Sequence, residues 1–291
     1  MKIRNVLSCF DGISAGIVAL QRAGIEFDNY YAFEIDKFAI KCSMENHPNI
    51  IQLGDINNWE DNIIEDVDLI IGGFQCQSFS LAGRGLGFDD PRGQLFFVFD
   101  EIIKYYNPNY FLAENVKMKK VYQDVISKSL NVEPIIINSS LVSAQNRVRL
   151  YWTNIPNVTQ PKDLGIILQD ICENIESIGR PCELREFSEN ALCHHIANAL
   201  DISGNDSIKR VYACTGKAPT LTTVQGGHRE PKIYLGDSMY RKLLPLECEK
   251  LQTFPVGYCN MLSKSQANKV LGNSWTVDVI AHIFECMKSI D

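Results

Sequence analysis

Two side chains with the chemistry of a nucleophile and a proton donor follow apolar runs in the first half of the chain. Cys76 comes shortly after the run at 68–71, on a turn with two preceding glycines, and Glu114 ends the run at 110–114. A thiol on such a turn is open to a substrate, and its thiolate is the attacking form. Because parallel strands end at the same edge of a sheet, we expect Cys76 and Glu114 to meet there.

The turn after the first predicted strand has the composition of a nucleotide-binding loop. Residues 11–16 read Asp-Gly-Ile-Ser-Ala-Gly, and small residues let a ligand approach backbone N–H groups. Glu34 ends the second predicted strand, where a carboxylate can accept hydrogen bonds from ribose hydroxyls. Asp55 and Ile56 follow the third, suited to an adenine amino group and ring. The three strand ends favour an adenosine ligand, while a turn without ligand and an Asp55 that only caps the next turn stay open.

Short apolar runs alternate with amphipathic stretches through the first half of the chain. This alternation is typical of βαβ units, so we expect an α/β fold with a mostly parallel, Rossmann-like sheet and helices on both faces. From about 154 to 235 the sequence mixes Pro, Gly and Asn with short apolar runs, which predicts a small irregular second domain. A regular pattern returns from 240 and predicts a closing helix over 278–289.

Composition excludes several classes of protein. The 291 residues are 45% apolar, which allows a sizeable core and excludes wholesale disorder. No apolar run approaches the roughly 18–20 residues of a membrane span, and we expect no secretion signal. The formal charge of −7 argues against a general polyanion binder but leaves a local basic face open. The ten cysteines form no C-x-x-C pair, so we expect reduced core thiols and no zinc ribbon.

Six motifs, in order, resemble those of the DNA cytosine carbon-5 methyltransferases, which use S-adenosylmethionine. They are the cofactor loop at 10–16, the catalytic-cysteine loop at 73–80, the glutamate motif at 114–116, the Gln-x-Arg-x-Arg motif at 145–149, the motif supporting the recognition domain at 241–255 and the final motif at 272–275. The Phe-Asp-Gly-Ile loop resembles that of the animal de novo enzymes and their phage or bacterial relatives. The resemblance implies the class I methyltransferase fold.

The resemblance also implies catalytic roles. Cys76 would add to carbon 6 of cytosine while Glu114 donates a proton or a strong hydrogen bond to ring nitrogen 3. Arg149 would hold the base oxygen and orient Glu114, and Arg147 would do structural or catalytic work beside them. The target base would be flipped out, because its reacting atoms cannot be reached inside a duplex.

Cofactor and DNA residues follow from the same motifs. The cofactor-binding residues implied are Phe10, Asp11, Gly12, Ile13, Glu34, Ile35, Asp55, Ile56, Gly73, Asn273, Ser274 and Trp275. The DNA-binding residues implied are Gln77, Ser80, Arg84, Arg92, Arg210 and Arg229, with Lys217, His228 and Lys232 as further donors in the recognition region. The glycine-rich stretch 81–92 would close over the DNA, although a plain surface loop has a similar composition.

The sequence divides into three predicted segments with different roles. We expect a catalytic and cofactor-binding domain over 1–153, a target-recognition domain over 154–235 and a hinge returning to the catalytic domain over 236–291. The cofactor would be S-adenosylmethionine, leaving S-adenosylhomocysteine, and the partner duplex DNA, with no metal and no membrane. We expect a monomer, with an oligomer left open. The enzyme would act in the cytoplasm of a prokaryotic or phage-infected cell, and its role would be restriction-modification or genome marking.

Two departures from the family pattern keep alternatives open. Ser14 and Ala15 stand where the family has glycines, and Gln75 stands where it has proline before the nucleophile. Proline would fix φ near −65° and pre-shape the turn, so Gln75 leaves open a catalytically impaired DNA-binding homologue. A tRNA cytosine-5 methyltransferase shares the motifs, but the Cys-Phe-Thr element of that branch is absent. A Rossmann dehydrogenase would explain the first loop but not Cys76 or Glu114.

Overall fold

The computed structural model describes residues 1–74, 91–174, 179–224 and 227–290, without the side chains of residues 91, 92, 289 and 290. Contacts divide the chain into two compact units. The first comprises Met1–Ile137, Val148–Gln160 and Val277–Asp291, and the second Asn138–Arg147 and Pro161–Thr276. This division differs from the predicted domain boundaries, which stay predictions.

The first unit is built on a seven-stranded sheet. Its strands are β1 (Lys2–Cys9), β2 (Glu26–Phe33), β3 (Ile51–Gly54), β4 (Val67–Gly73), β5 (Tyr110–Val116), β6 (Ile135–Asn138) and β7 (Val148–Thr153), and its helices are α1 (Ala15–Arg22), α2 (Lys37–Asn46), α3 (Pro91–Tyr106), α4 (Lys120–Leu130) and, after the second unit, α9 (Val277–Glu285). The strand order is β3-β2-β1-β4-β5-β7-β6. β1 to β5 pair in parallel and β7 pairs antiparallel with β5. The predicted α/β fold with a mostly parallel sheet is confirmed.

The central strands are buried, which explains their uninterrupted apolar runs. In β4, Leu69, Ile70 and Ile71 are fully buried. α1 is apolar at nearly every position because its residues from Ala15 to Leu20 are buried, and it ends before Gly24, whose φ is +64°. Hydrophobic burial of these strands and helices forms the main core of the unit.

Gly72 shows how closely β4 approaches its neighbours. A Cβ added there would lie 2.8 Å from the carbonyl oxygen of Cys9 and 2.8 Å from a ring carbon of Phe99. Because a backbone oxygen cannot move away easily, any side chain at this position would displace β1 or α3. Gly72 thus has a packing role besides its place before Cys76.

The second unit contains a small closed barrel. Its elements are α5 (Leu168–Ile171), β8 (Arg180–Leu184), β9 (His195–Ala199), α6 (Asp206–Lys209), β10 (Arg210–Tyr212), β11 (Lys232–Gly236), β12 (Met239–Lys242), α7 (Pro245–Leu251) and α8 (Lys264–Asn273). Strands β10-β11-β12-β8-β9 close on one another around Ala197, Val211 and Tyr240. The sequence predicts an irregular region here, and that description is wrong for these strands. Runs of three to five residues hold too few alternations to show a period.

Two expectations from composition can be checked on the described residues. Nine of the ten cysteines fall within them and none of the nine is in a disulfide; five are buried and four half-buried, whereas Cys76 lies outside. In the same ranges no helix is long and apolar enough to cross a membrane.

A buried ion pair fastens α7 to the barrel of the second unit. Arg241 on β12 donates to both carboxylate oxygens of Glu247, at 2.7 and 2.8 Å, and Glu247 is fully buried. The same carboxylate accepts the backbone N–H groups of Glu173 and Leu244. Each charge therefore has a partner, which a buried ion pair requires.

Removing one partner of this pair should destabilise the protein strongly. We expect Glu247→Ala to lower the free energy of unfolding by about 3–5 kcal/mol, because it leaves the Arg241 charge buried without its partner. Asp206→Ala, which removes the exposed partner of Arg210, is the matched control and should cost about 1 kcal/mol or less. Urea unfolding followed by circular dichroism measures both, and equal losses would contradict the assignment.

Candidate functional site

The carboxyl ends of β1, β2, β4 and β5 lie along one edge of the sheet in the first unit. Cys9 pairs with Phe33 on β2 and with Gly72 on β4, and Gly73 pairs with Glu114 on β5. The strand order reverses between β1 and β4, and open α/β sheets bind ligands outside the strand ends at such a point. The predicted site residues of this unit follow these strand ends.

The predicted cofactor loop is fastened to the end of β2. Phe10, Gly12 and Ser14 have left-handed φ angles of 62°, 62° and 57°, so the chain turns tightly before α1 begins. The N–H of Asp11 donates to the carbonyl of Phe33 at 3.0 Å. These bends leave the loop backbone close to the adjacent strand end, as a ligand-binding turn requires.

Glu34 is held rigidly against the loop. Its Oε2 accepts the N–H of Gly12 at 2.8 Å, and its Oε1 accepts the N–H groups of Ile35 and Asp36. Ile35, beside it, is 68% exposed. A fixed carboxylate next to an open apolar side chain suits a ribose and a flat base, because Oε2, which accepts from Gly12, still has a lone pair that can accept a further hydrogen bond.

At the third strand end, Asp55 and Ile56 both have contacts within the protein, and their cofactor contacts stay predictions. Asp55 accepts the N–H of Asn57 at 3.0 Å and caps the 3-10 helix Ile56–Asp61, which is the alternative that the sequence left open. Ile56 is only 5% exposed and packs in the core. Ile35, by contrast, has open surface beside the end of β2.

Asp11 has an unusual environment. Its Oδ1 accepts the hydroxyl of Tyr30 at 2.7 Å, its Oδ2 accepts the hydroxyl of Ser14 at 2.5 Å, and Ser8 adds a third hydroxyl. Burial raises the pKa of Asp11 from 3.8 to about 6, because three neutral donors only partly replace water and Glu34 adds a like charge. The loop therefore contains a carboxylate that is ionised at the expense of stability.

Glu114 and Arg149 form an ion pair at the end of β5. Arg149 Nε lies 2.9 Å from Glu114 Oε1, and both side chains are about nine-tenths buried. The two residues lie on paired strands, since β5 and β7 run antiparallel here. The family resemblance implies that Arg149 orients Glu114, and the structure brings the two side chains into direct contact.

The backbone that leads to Cys76 is anchored by Asn115. Its Nδ2 donates to the carbonyl of Phe74 at 3.0 Å, and its Oδ1 accepts the N–H of Val116. Phe74 is 2% exposed and packs on Phe96, with ring centroids 5.2 Å apart. Phe74 is the last described residue before the cysteine. Gln75, Cys76, Gln77, Ser80 and Arg84, together with the side chain of Arg92, lie outside the described residues.

Arg147 and the final motif belong to the second unit. Arg147 is 3% exposed and donates to the carbonyls of Leu221, Gly272 and Ser274. These bonds support the structural role among the two that the resemblance implies for it. Within the final motif Asn273 is exposed, Ser274 buried and Trp275 half-buried.

Gln252 braces the same segment. Its Nε2 donates to the carbonyls of Leu271 and Ser274, and its Oε1 accepts from Gln145 and Thr276. All of these groups are in the second unit. The Gln-x-Arg-x-Arg motif and the motif at 241–255 are thus joined by side chains that bind backbone, a function that spacing alone did not reveal.

Two lysines suggested as DNA contacts are used inside the fold. Lys217 is 7% exposed and donates to the carbonyls of Ser140, Ser143 and Ile166. Lys232 is 2% exposed and donates to those of His228 and Glu230. Buried ammonium groups bonded to backbone cannot reach a phosphate, so including them as donors to DNA was wrong.

The remaining basic candidates of the recognition region are at the surface. Arg210 is exposed and pairs with Asp206 at 3.1 Å, while Arg229 and His228 are exposed. These positions are compatible with nucleic-acid contact. Elsewhere in the described ranges, no three His, Cys, Asp or Glu side chains are grouped to hold a metal ion.

Comparison with known proteins agrees with the strand-end geometry. The family model for C-5 cytosine-specific DNA methylases matches residues 4–289. This chain belongs to that family. The type II methyltransferase M1.ScrFI of Lactococcus lactis subsp. cremoris is 31% identical, with 89% of this chain and 72% of that protein covered. The orphan methyltransferase M.SPBetaI of Bacillus phage SPbeta is 26% identical, with 97% and 96% covered.

Solved structures share the fold. The Entamoeba histolytica methyltransferase EhMeth superposes with a TM-score of 0.73 at 17% identity, covering 99% of both chains. The S. pombe Dnmt2 methyltransferase superposes with a TM-score of 0.68 at 17% identity, again covering 99% of both. The predicted methyltransferase fold and enzyme class are therefore confirmed, and the family depends on S-adenosylmethionine.

The contacts also show which residues of this cytosine-5 methyltransferase the sequence reasoning missed. Tyr30 and Asn115 carry no role in the predicted site, yet each binds a group at the strand edge. Asn115 stands next to Glu114 in a matched motif, which is a signal that could have identified it. Tyr30 gave only a weaker signal, a tyrosine within a strand that also carries apolar residues.

The raised pKa of Asp11 predicts a pH-dependent loss of stability. A carboxyl whose folded pKa is about 6 and whose unfolded pKa is 3.8 stabilises the fold below about pH 4 and loses that contribution as pH rises through about 6. We expect the stability of the wild type, relative to Asp11→Asn, to fall by at most about 3 kcal/mol between about pH 4 and 7. Urea unfolding of both proteins across this range measures it. Parallel curves would refute the assignment.

Proposed function

We propose that this enzyme transfers a methyl group from S-adenosylmethionine to carbon 5 of a flipped-out cytosine in duplex DNA, through a covalent adduct with Cys76. The observation that carries the proposal is the ion pair between Glu114 and Arg149, 2.9 Å apart. Glu114 on β5 pairs in register with Gly73 on β4, and the chain runs from Gly73 directly on to Cys76. An acid fixed by an arginine beside the nucleophile's strand fits the activation of a pyrimidine ring.

The chain's residues divide the chemistry among them. The Cys76 thiolate forms a bond to ring carbon 6, and the carbon 5–carbon 6 double-bond electrons become available at carbon 5. Glu114, in its carboxylic-acid form, gives or shares a proton at ring nitrogen 3, while Arg149 Nε holds its Oε1. The methyl group would come to carbon 5 with its bond to the sulfonium broken, which would leave S-adenosylhomocysteine. Solvent water then takes the carbon 5 proton, the electrons of that bond restore the carbon 5–carbon 6 double bond, and the carbon–sulfur bond breaks to release the Cys76 thiolate. The proton at ring nitrogen 3 returns to Glu114, and the aromatic ring is restored.

The strand-end residues of the first unit fit the cofactor. The fixed carboxylate of Glu34 would bind the ribose, Ile35 would cover the adenine, and the backbone of residues 10–13 would line the approach. Asp55, Gly73, Asn273, Ser274 and Trp275 are proposed from the resemblance alone. Bound S-adenosylmethionine supplies an electrophilic methyl group on a sulfonium.

Duplex DNA is the proposed substrate. The family model and curated relatives are named as DNA or type II methyltransferases, and Arg210 and Arg229 are exposed in the second unit. Flipping the base out of the duplex costs roughly a few kcal/mol of stacking and pairing energy. Contacts between the protein and phosphates would have to offset this cost. The relatives come from bacteria and phages, so we propose that the enzyme acts in the cytoplasm of a prokaryotic or phage-infected cell.

Methyl transfer from labelled S-adenosylmethionine to duplex DNA, with tRNA in parallel, tests the proposal. We expect label on DNA cytosine, loss of turnover in Cys76→Ala, and a rate about 10²–10⁴-fold lower in Glu114→Gln, because a positioned acid contributes that much. Cys286→Ala, at a half-buried thiol in the same unit, is the matched control and should be fully active.

Two results would decide against the proposal. Label on tRNA alone would favour the tRNA enzyme. Failure of the wild type to form a covalent complex with 5-fluorocytosine DNA, while it still binds cofactor, would indicate the impaired DNA-binding homologue.

Gln75 gives a further prediction. Proline at this position restricts φ and so reduces the number of conformations of the turn before the nucleophile. We expect Gln75→Pro to raise the rate of the chemical step about two- to fivefold, the equivalent of about 0.4–1 kcal/mol of pre-ordering, with no change in cofactor affinity. Single-turnover kinetics measures the chemical step. A slower variant would show that the turn has adapted to glutamine.

A further inference from the structure

Tyr30 on β2 makes a hydrogen bond to the predicted cofactor loop at residues 10–16. Tyr30 is 2% exposed, and its hydroxyl donates to Oδ1 of Asp11 at 2.7 Å. The bond joins a buried strand to the loop, and its acceptor is a carboxylate. Hydrogen bonds to charged groups are among the stronger ones in proteins.

Gly16 makes room for this hydrogen bond. A Cβ added at Gly16 would lie 2.7 Å from the Tyr30 hydroxyl oxygen and 2.3 Å from Cδ1 of Ile71. Any larger residue there would push the hydroxyl away from Asp11. The absence of a side chain at Gly16 therefore leaves the space that the Tyr30 hydroxyl occupies.

Asp11 in turn makes two hydrogen bonds to Ser14 within the loop. Its other oxygen, Oδ2, accepts the hydroxyl of Ser14 at 2.5 Å, and its carbonyl accepts the N–H of Ser14 at 3.2 Å. Ser14 has a φ of 57°, a conformation that residues with a side chain adopt reluctantly. The carboxylate therefore holds a strained residue in place directly before α1 begins.

The loop so held carries the groups expected to meet the cofactor. Gly12 lies between Asp11 and Ser14, its N–H donates to Glu34, and its carbonyl accepts the hydroxyl of Ser43. The loop is thus fixed at Gly12 from β2 and α2, and at Asp11 from Tyr30. Loss of one fixing point should loosen the loop without opening the core.

We propose that Tyr30 is a positioning residue for S-adenosylmethionine, whose hydroxyl acts through Asp11 and Ser14 to hold residues 10–14 in the conformation that binds the cofactor. The inference rests on the proposed function, because it assigns this loop to that cofactor. Tyr30 itself does not need to touch the ligand.

Tyr30→Phe tests this proposal with little change in packing, since it removes only the hydroxyl. Binding of S-adenosylhomocysteine without DNA is measured by calorimetry, with the melting temperature recorded alongside. Tyr240→Phe is the matched control, because the Tyr240 hydroxyl also donates to a carboxylate, that of Asp201, but in the barrel of the second unit. We expect about tenfold weaker cofactor binding for Tyr30→Phe and unchanged binding for Tyr240→Phe.

Steady-state kinetics separates positioning from general damage. Tyr30→Phe should raise the KM for S-adenosylmethionine about tenfold while kcat at saturating cofactor and the KM for DNA stay unchanged. Ser14→Ala, which keeps the strained backbone position but removes the hydroxyl that Asp11 holds, should change cofactor affinity in the same direction. It also serves as the test if Tyr30→Phe does not fold.

The outcomes distinguish this inference from the proposed function. A wild type that binds no S-adenosylhomocysteine overturns both. A wild type that binds it, with Tyr30→Phe or Ser14→Ala binding equally well, overturns the positioning role alone. Equal weakening in Tyr30→Phe and Tyr240→Phe would show a general loss of stability and would likewise overturn it.

Discussion

The parallel register of four strands is the constraint on which the candidate site depends. Because β1, β2, β4 and β5 end at one edge, residues far apart in the chain are set beside one another there: the loop after β1, Glu34 after β2, the turn after β4 and Glu114 near the end of β5. A shift of register by one residue would reverse the side-chain directions along a strand. The buried runs of Leu, Ile and Val prevent such a shift, so the core of the sheet determines the geometry of the edge.

Buried cations in the second unit bind backbone carbonyls rather than ligands. Arg147 and Lys217 each donate to three carbonyls, and Lys232 donates to two. Charged donors can satisfy several carbonyls of irregular segments at once, where strand or helix partners are absent. This use explains why basic residues in a region assigned to DNA recognition do not all belong to its surface. Arg241 differs, because its buried partner is a carboxylate.

The arrangement of the sheet edge could be predicted from the sequence, because a local pattern combines there with a general rule of parallel sheets. Alternating strands and helices, together with the rule that parallel strands end at one edge, predict Glu34 and Glu114 at the sheet edge where the structure has them, and their roles there stay predictions. Prediction from the sequence failed where side-chain direction decides the outcome. Nothing in the spacing shows that Ile56 faces the core or that Lys217 is buried, and the short strands of the barrel carry too little pattern. The contact of Tyr30 with Asp11 depends on the space left by Gly16, which is visible only in three dimensions.

Asp11 connects stability with function at this edge. A carboxylate surrounded by neutral hydroxyls is less stable in its charged form than one in water, and replacing it by a neutral residue would relieve that penalty. Groups held in such unfavourable states are concentrated at functional sites, where the surrounding structure is rigid enough to keep them. Here the rigidity comes from β2, because Tyr30 on that strand binds Asp11 and the strand's last carbonyl accepts the Asp11 N–H. The strand that carries Glu34 to the edge is thus the same one that keeps Asp11, and with it the strained Ser14, in place.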